Sequence, residues 1–332
     1  MEPVRIGIVG LGRMGRFHLA ALAETDAVEI VAVAETSASS LDAARQDLGD
    51  AVVYSSPYEA FAHGGLEGVL IASPTPTHPD LVRHSLAANL HVLCEKPLSL
   101  DPAESMELEA LRGDRVLQVG FWRRFSPPWR AAHRAIVDDG RIGRPLMVRL
   151  SQWDADPPPP QFCDPAVSGG LAIDCGVHEY DLAEWFTGER IHTVRAWNLP
   201  IVDAAIAAAG DVDNLVATLE LTNDVVATVD LSRNARYEDD VRTEILGSDG
   251  AVLIDLLPQG RARIGTSAGL QDLPDSGATD ATKAGVIGQM EAFAAAIRTG
   301  ETDLPNAADS ARATQIGLAV QEAASTGRAV TV

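Results

Sequence analysis

The sequence predicts an α/β protein in two parts: a doubly wound parallel sheet, then a C-terminal α+β domain on a large, mostly antiparallel open sheet. Three observations predict it. Continuous apolar runs alternate with helical segments over the first third of the chain. After about Gly120 the strands instead alternate apolar and polar residues. Two hairpin signals then precede two long helical segments.

Val4–Val9, Val28–Ala34, Ala51–Tyr54, Gly68–Ala72, His91–Cys94 and Val116–Val119 read as strands. Each is apolar almost throughout, as strands covered on both faces must be. Segments such as Arg16–Ala23 and Ser37–Leu48 read as the intervening helices, which makes the sheet parallel and doubly wound. Val148 and Leu150 alternate with Arg149 and Ser151 in a half-exposed strand that runs into Pro157–Pro160. Leu215–Leu221 and Val225–Leu231 flank the turn residues Thr222-Asn223-Asp224, and Thr243–Leu246 and Ala251–Asp255 flank Gly247–Gly250. Helices are expected near Val286–Thr299 and Ala307–Thr326, while Ala204–Gly210 reads equally as a loop or a short helix. The domains are placed at residues 1–121 and 122–332.

The 332 residues carry a formal charge of −21, which disfavours nucleic acid or an anionic membrane as a partner. Cys94, Cys163 and Cys175 are too few and too scattered for a disulfide framework, and with no Cys-x-x-Cys pair no metal site is expected. The first strand starts near Val4, so no secretory leader is expected, and no apolar run is long enough for a membrane helix. A cytoplasmic location is the expectation. Lysine occurs at only two positions, Lys96 and Lys283, which makes each more informative.

Gly10-Leu-Gly12-Arg13-Met14-Gly15 follows the first strand directly and opens a helical segment. In that context Gly10 permits the tight turn, Gly12 lets the backbone approach a pyrophosphate, and Gly15 lets helix and strand pack closely. The free amides at the helix start receive the anion. This is the arrangement of a Rossmann dinucleotide-binding domain. Glu35 ends the second strand, 20 positions after Gly15. An acid there accepts hydrogen bonds from the adenosine ribose and repels a 2′-phosphate, and the next cation is Arg45, so NAD is favoured over NADP.

Three further stretches complete the pattern: Ser73-Pro74-Thr75-Pro-Thr-His78 after the fourth strand, Glu95-Lys96-Pro97 after the fifth, and Gly169-Gly170-Leu-Ala-Ile-Asp174-Cys-Gly-Val-His178-Glu-Tyr-Asp181. With the glycine turn, they resemble the glucose–fructose oxidoreductase / inositol dehydrogenase superfamily over essentially the whole chain. Within it the likeness is closest to the inositol 2-dehydrogenases, through Gly120–Phe125, Trp153-Asp154, Ser168–Gly170 and Arg236-Tyr237. The chain departs from that subgroup at Gly176, where a larger residue is usual, and at Glu179, where aspartate is common; Trp122 and Trp153 are also unusual.

The resemblance implies an NAD-dependent dehydrogenase that oxidises a secondary hydroxyl of a cyclic polyol, myo-inositol first among them. A sugar, anhydrosugar or amino-inositol is the alternative substrate, and a non-catalytic NAD-binding sensor is the alternative from another class. Asp174 and His178 are four apart, so on a helix they share a face. A histidine beside a carboxylate suits the general base that alcohol oxidation needs. The resemblance makes Lys96 a donor to the reacting oxygen and implies a cis bond before Pro97; the proton acceptor stays open between Lys96 and His178.

Arg13, Met14, Ser73, Pro74, Thr75, Glu95 and Lys96 join the glycines and Glu35 as cofactor-binding candidates, and Lys96, Asp174 and His178 are also expected to touch the substrate. His78 either lines the nicotinamide ribose or caps the helix that begins near Pro79. Arg124, Asp154, Asp156 and Tyr237 are candidates for substrate hydroxyls, with packing or ion pairing as their alternative. By analogy with the superfamily, a homodimer or homotetramer is expected.

Overall fold

The computed structural model describes residues 2–155, 158–300 and 303–332 and divides into two compact units. The first comprises residues up to 122 together with 286–311; the second comprises 123–285 and 312–332. The boundary expected at 121/122 therefore misses a returning segment. Its physical cause is apolar: Met290, Phe293, Ala294 and Ala296 pack into one core with Ile6, Ile8, Leu70 and Leu93. Burying a residue as large as Phe293 is worth roughly 1.5–3 kcal/mol, enough to commit the helix to that core.

In the first unit, β1 (Val4–Val9), β2 (Val28–Ala34), β3 (Val52–Tyr54), β4 (Gly68–Ile71), β5 (His91–Cys94) and β6 (Leu117–Val119) form a six-stranded sheet in the order β3-β2-β1-β4-β5-β6. Every pairing is parallel. The order reverses between β1 and β4, and ligands of such sheets bind outside the strand ends at that point. Register makes those ends level. Val9 lies opposite Ala34 on one side and Ile71 on the other, and Ile71 lies opposite Cys94. The glycine turn, Glu35, Ser73 and Glu95-Lys96 thus leave the sheet along one edge.

The second unit carries β7 (Pro145–Trp153), β8 (Ile191–Asn198), β9 (Asn214–Leu221), β10 (Val226–Ser232), β11 (Asp240–Gly247), β12 (Ala251–Asp255), β13 (Arg261–Thr266), β14 (Gly269–Asp272) and β15 (Val330–Thr331). They form a nine-stranded sheet in the order β14-β13-β12-β11-β7-β10-β9-β8-β15. The β7–β10 pairing is parallel and the rest are antiparallel. One face is apolar and buried, through Val148, Leu150, Leu219, Val229, Leu231 and Ile245. The helix Gly176–Thr187 packs against β7 and β10. On the other face Arg149, Thr228, Asp230 and Glu220 are exposed or half-buried, the division expected of a sheet covered on one side.

Both expected hairpins form, and the turn at Asn223 and Asp224 uses positive φ of 55° and 60°. The first helix spans Arg13–Leu22 and so starts earlier than the apolar periodicity suggested, because Gly12 occupies its N-cap. The second is shorter than expected, Ala38–Ala44. The undecided stretch is a helix, Ala204–Ala209, capped by the Asp203 side chain on the Ala205 amide and closed by Gly210 at φ 89°. Among the described residues no helix is long and apolar enough to cross a membrane.

Candidate active site

In the first unit the glycine turn meets the demands of a dinucleotide. Gly10 has φ +91°, and a Cβ there would lie 2.9 Å from the Ala72 carbonyl oxygen. A Cβ at Gly15 would lie 1.9 Å from the Gly10 carbonyl oxygen, so helix and turn touch backbone to backbone. At Gly12 a Cβ would meet nothing within 4 Å. That glycine is not needed by the protein's own packing, and its open side fits a pyrophosphate. Gly12 also caps the helix without a side chain, leaving the amides of Arg13, Met14 and Gly15 at a bare N-terminus.

Glu35 braces this turn. One carboxylate oxygen accepts the Leu11 amide and the other the Ser37 amide, both at 2.6 Å. Each oxygen retains a second lone pair for a ribose hydroxyl. Glu35→Ala is expected to narrow the preference for NAD over NADP about tenfold or more, the scale of one lost charged hydrogen bond, read as the ratio of the two dissociation constants. An unchanged ratio would show that Glu35 supports only the turn.

Thr75 is buried, whereas Ser73 is half-buried and bonds through its hydroxyl to Thr77 at 2.7 Å. His78 is the first residue of a helix, and its ring is buried between two carbonyls, Nδ1 at 2.9 Å from Pro97 O and Nε2 at 2.9 Å from Ser73 O. Burial pushes its pKa down, so the neutral ring donates to only one of them. His78 therefore ties the Ser73 loop to the Lys96–Pro97 segment, whose peptide bond is cis. Glu95 is likewise committed to the protein: Oε1 lies 2.6 Å from buried His18 Nε2, and Oε2 accepts the Lys96 amide at 3.2 Å. Burial pushes the Glu95 carboxyl up, but the His18 hydrogen bond and the Lys96 charge outweigh it, and the net shift is down. Lys96 itself is half-buried.

In the second unit Asp174 ends a one-turn helix, Leu171–Asp174, and His178 stands in the first turn of the next, Gly176–Thr187. The single helix expected across both residues is thus interrupted at Cys175, though the chain keeps nearly helical dihedrals there. His178 is buried and Asp174 is largely so. The Cys175 thiol lies 3.4 Å from Asp154 Oδ2 and 3.9 Å from Asp174 Oδ2, which brings the two acids together. Burial raises the Asp154 pKa; the Gln152 hydrogen bond opposes this and the Asp174 charge adds to it.

Other candidates have different partners. Arg124 makes a two-pronged ion pair with Asp181, its Nε 2.9 Å from Oδ2. Tyr237 is 64% exposed and donates its hydroxyl to Asp240 at 2.7 Å. These are the packing and ion-pair roles weighed as alternatives. Asp156 lies outside the described residues.

The sequence did not single out His18, Arg123, Asp211 or Arg233. Arg123 is buried, pairs with buried Glu179 and donates to Gln152 Oε1 at 2.7 Å. That contact orients the Gln152 amide so that Nε2 donates to Asp154 at 3.0 Å. For Arg233 a signal was present: strand parity through Val229 and Leu231 places it on the buried face.

The unusual Gly176 has a local explanation. A Cβ there would lie 2.4 Å from the hydroxyl of Tyr180, which is fully buried one turn along the same helix. Tyr180 occupies the room that a larger residue would need. Gly176→Ala, which in an open helix would stabilise by about 1 kcal/mol, should instead lower the melting temperature. The double variant with Tyr180→Leu should recover most of the loss; a rise in the single variant would contradict this packing.

A parallel sheet with a phosphate-binding turn, an acid at the end of β2 and a polar cluster on a second unit define a dinucleotide-dependent oxidoreductase. The sequence comparisons place it within a family. Residues 4–121 match the oxidoreductase family with an NAD-binding Rossmann fold, and residues 130–253 match the GFO/IDH/MocA C-terminal domain. The chain belongs to the GFO/IDH/MocA oxidoreductase family, and NAD is its cofactor. It is 34% identical to an inositol 2-dehydrogenase of Rhizobium meliloti, over 97% of this chain and 96% of that one. It is 36% identical to the myo-inositol 2-dehydrogenase of Thermotoga maritima, over 76% and 75% of the two chains. Among solved structures, scyllo-inositol dehydrogenase from Lactobacillus casei with bound NAD(H) and scyllo-inositol superposes with a TM-score of 0.84, at 29% identity and 99% coverage of both chains.

Proposed function

We propose that the protein oxidises one secondary hydroxyl of a cyclic polyol, an inositol such as myo-inositol, to the ketone. The observation that carries the proposal is the likeness to inositol dehydrogenases along nearly the whole chain. The acidic cluster of Asp154 and Asp174 supports it, since carboxylates accept hydrogen bonds from vicinal hydroxyls. Bound NAD supplies the hydride acceptor at its nicotinamide ring. The glycine turn and the bare helix start would hold its pyrophosphate, Glu35 the adenosine ribose, and Ser73, Pro74 and Thr75 the nicotinamide ribose.

Lys96 donates a hydrogen bond to the reacting oxygen, and the imidazole of His178 takes the hydroxyl proton as the carbinol hydride leaves. Asp174 orients His178 or accepts a neighbouring hydroxyl. The alcohol thus loses a hydride and a proton, and the products are ketone, NADH and one proton. The test is a panel of inositols, aldoses and anhydrosugars with NAD and with NADP, followed as absorbance of the reduced cofactor. The expected result is turnover of an inositol with NAD; strong turnover of a sugar and none of any inositol would overturn the substrate assignment.

Two finer features belong to this reading. Copies of the chain pair through the open face of the nine-stranded sheet as a homodimer or homotetramer, a role suited to Trp153, Trp197 and Leu246, which stay exposed there among charged neighbours. The enzyme works in the cytoplasm, a compartment compatible with three buried cysteines that form no disulfide among the described residues.

A further inference from the structure

We propose that Arg233 is a positioning residue: its buried guanidinium, shared with Asp211, clamps Asp174 in place and keeps it charged. The inference rests on the role given to Asp174 above. Arg233 follows β10 directly and is 1% exposed. Its Nη2 lies 3.3 Å from Asp174 Oδ2 and 3.4 Å from Asp211 Oδ2. Asp211 in turn accepts the Leu171 amide, with both carboxylate oxygens at 3.0 Å. Leu171 begins the one-turn helix that Asp174 ends, so one cation and its second carboxylate hold both ends of that turn.

The same clamp explains the glycine before it. A Cβ on Gly170 would lie 2.7 Å from Asp211 Oδ1, and Gly170 has φ +72°. The backbone at the start of the turn must come this close for Asp211 to reach the Leu171 amide. The Gly169 carbonyl is fixed as well, by Gln321 Nε2 at 2.5 Å.

Electrostatics gives the clamp its purpose. Acids and thiols gather in this region, with Asp174, Asp211 and Asp154 beside Cys163 and Cys175, and Asp203 and Asp239 further out; His178 follows Asp174 by four residues. Gathered in a buried place, such carboxylates repel one another and take up protons unless a cation faces them. Arg233 supplies such a cation, through its contacts with Asp174 and Asp211; its Nη1 also approaches Cys163 Sγ at 3.8 Å. A guanidinium suits the task better than an ammonium, since it keeps its charge when buried and one Nη2 carries two N–H donors, here within reach of both carboxylates. An ionised, immobile Asp174 is what a partner of His178 or of a substrate hydroxyl must be.

The test is a carboxyl-carbon NMR titration of the aspartates, with Asp174 assigned through Asp174→Asn. It compares the parent with Arg233→Met, Arg233→Lys and Asp211→Asn. In Arg233→Met the Asp174 midpoint should rise by about one pH unit or more, with Arg233→Lys between it and the parent. Polyol kcat should fall and the acid limb of its pH profile should move up, while NAD affinity stays at the parent value. Asp211→Asn should move the Asp174 midpoint down, because the guanidinium then serves one carboxylate; this variant decides the matter if Arg233→Met does not fold. Unmoved Asp174 midpoints in the folded variants would overturn the clamp even where polyol turnover is found. Shifted midpoints in a protein that oxidises no polyol would instead leave the clamp standing and overturn the assigned reaction.

Discussion

Lys96→Ala is expected to leave NAD binding within about twofold of the parent and to lower polyol turnover by about a thousandfold or more. One donor aimed at a developing alkoxide is worth roughly 10²–10³ in rate, and the full charge of an ammonium places Lys96 at the upper end or beyond it. Glu95 and His18 hold the segment that carries Lys96, so the substitution removes the ammonium without loosening its support. His178→Ala should lose turnover on a similar scale, again with NAD affinity retained, because the residues assigned to hold the dinucleotide do not include it. Stopped-flow or steady-state NADH formation with saturating NAD measures both. Turnover within about tenfold of the parent in either variant would remove that residue from the chemistry.

The second large effect separates two glycines that look alike in sequence. Gly12→Ala should fold with an unchanged melting temperature, since Gly12 has ordinary dihedrals (φ −64°) and an added Cβ meets no protein atom within 4 Å. Its NAD dissociation constant should nevertheless rise about tenfold or more, because the methyl group occupies the approach of the pyrophosphate. Gly15→Ala should fail differently. Its Cβ would lie 1.9 Å from a backbone oxygen, so the helix must move away from the turn. Stability and NAD binding should then fall together. Calorimetric melting and titration of the two variants side by side would show the difference, and equal melting losses would contradict it.

These contrasts show which parts of the molecule were legible in the sequence. The six parallel strands were, because a strand buried on both faces leaves an uninterrupted apolar run, as at Val28–Ala34 and His91–Cys94. Both hairpins were, because their turns need residues that accept positive φ, such as Asn223. The return of residues 286–311 to the first core was hidden. A helix that buries Met290 and Phe293 has the same composition whichever core it joins.

The candidate site divides in the same way. Motif residues announce themselves by type and spacing, but their supports do not. His18 lies among Leu19 and Leu22 on an apolar helix face and shows itself only through Glu95, 77 positions away. Arg233 meets Asp174 across 59 residues and Asp211 across 22, and no local pattern encodes such pairings. The departure from the subgroup at Gly176 is, in space, a packing exchange with Tyr180, which no local pattern in the sequence announces.

The central claim is that a carbinol hydride of a cyclic polyol passes to NAD on this protein. The most direct measurement uses an inositol deuterated at its ring carbons, incubated with NAD and the parent enzyme, with both products examined by NMR and mass spectrometry. The expected result is NADH carrying deuterium at the reactive nicotinamide carbon, with an equal amount of the ring ketone. NAD bound tightly with no label transferred from any inositol would contradict it.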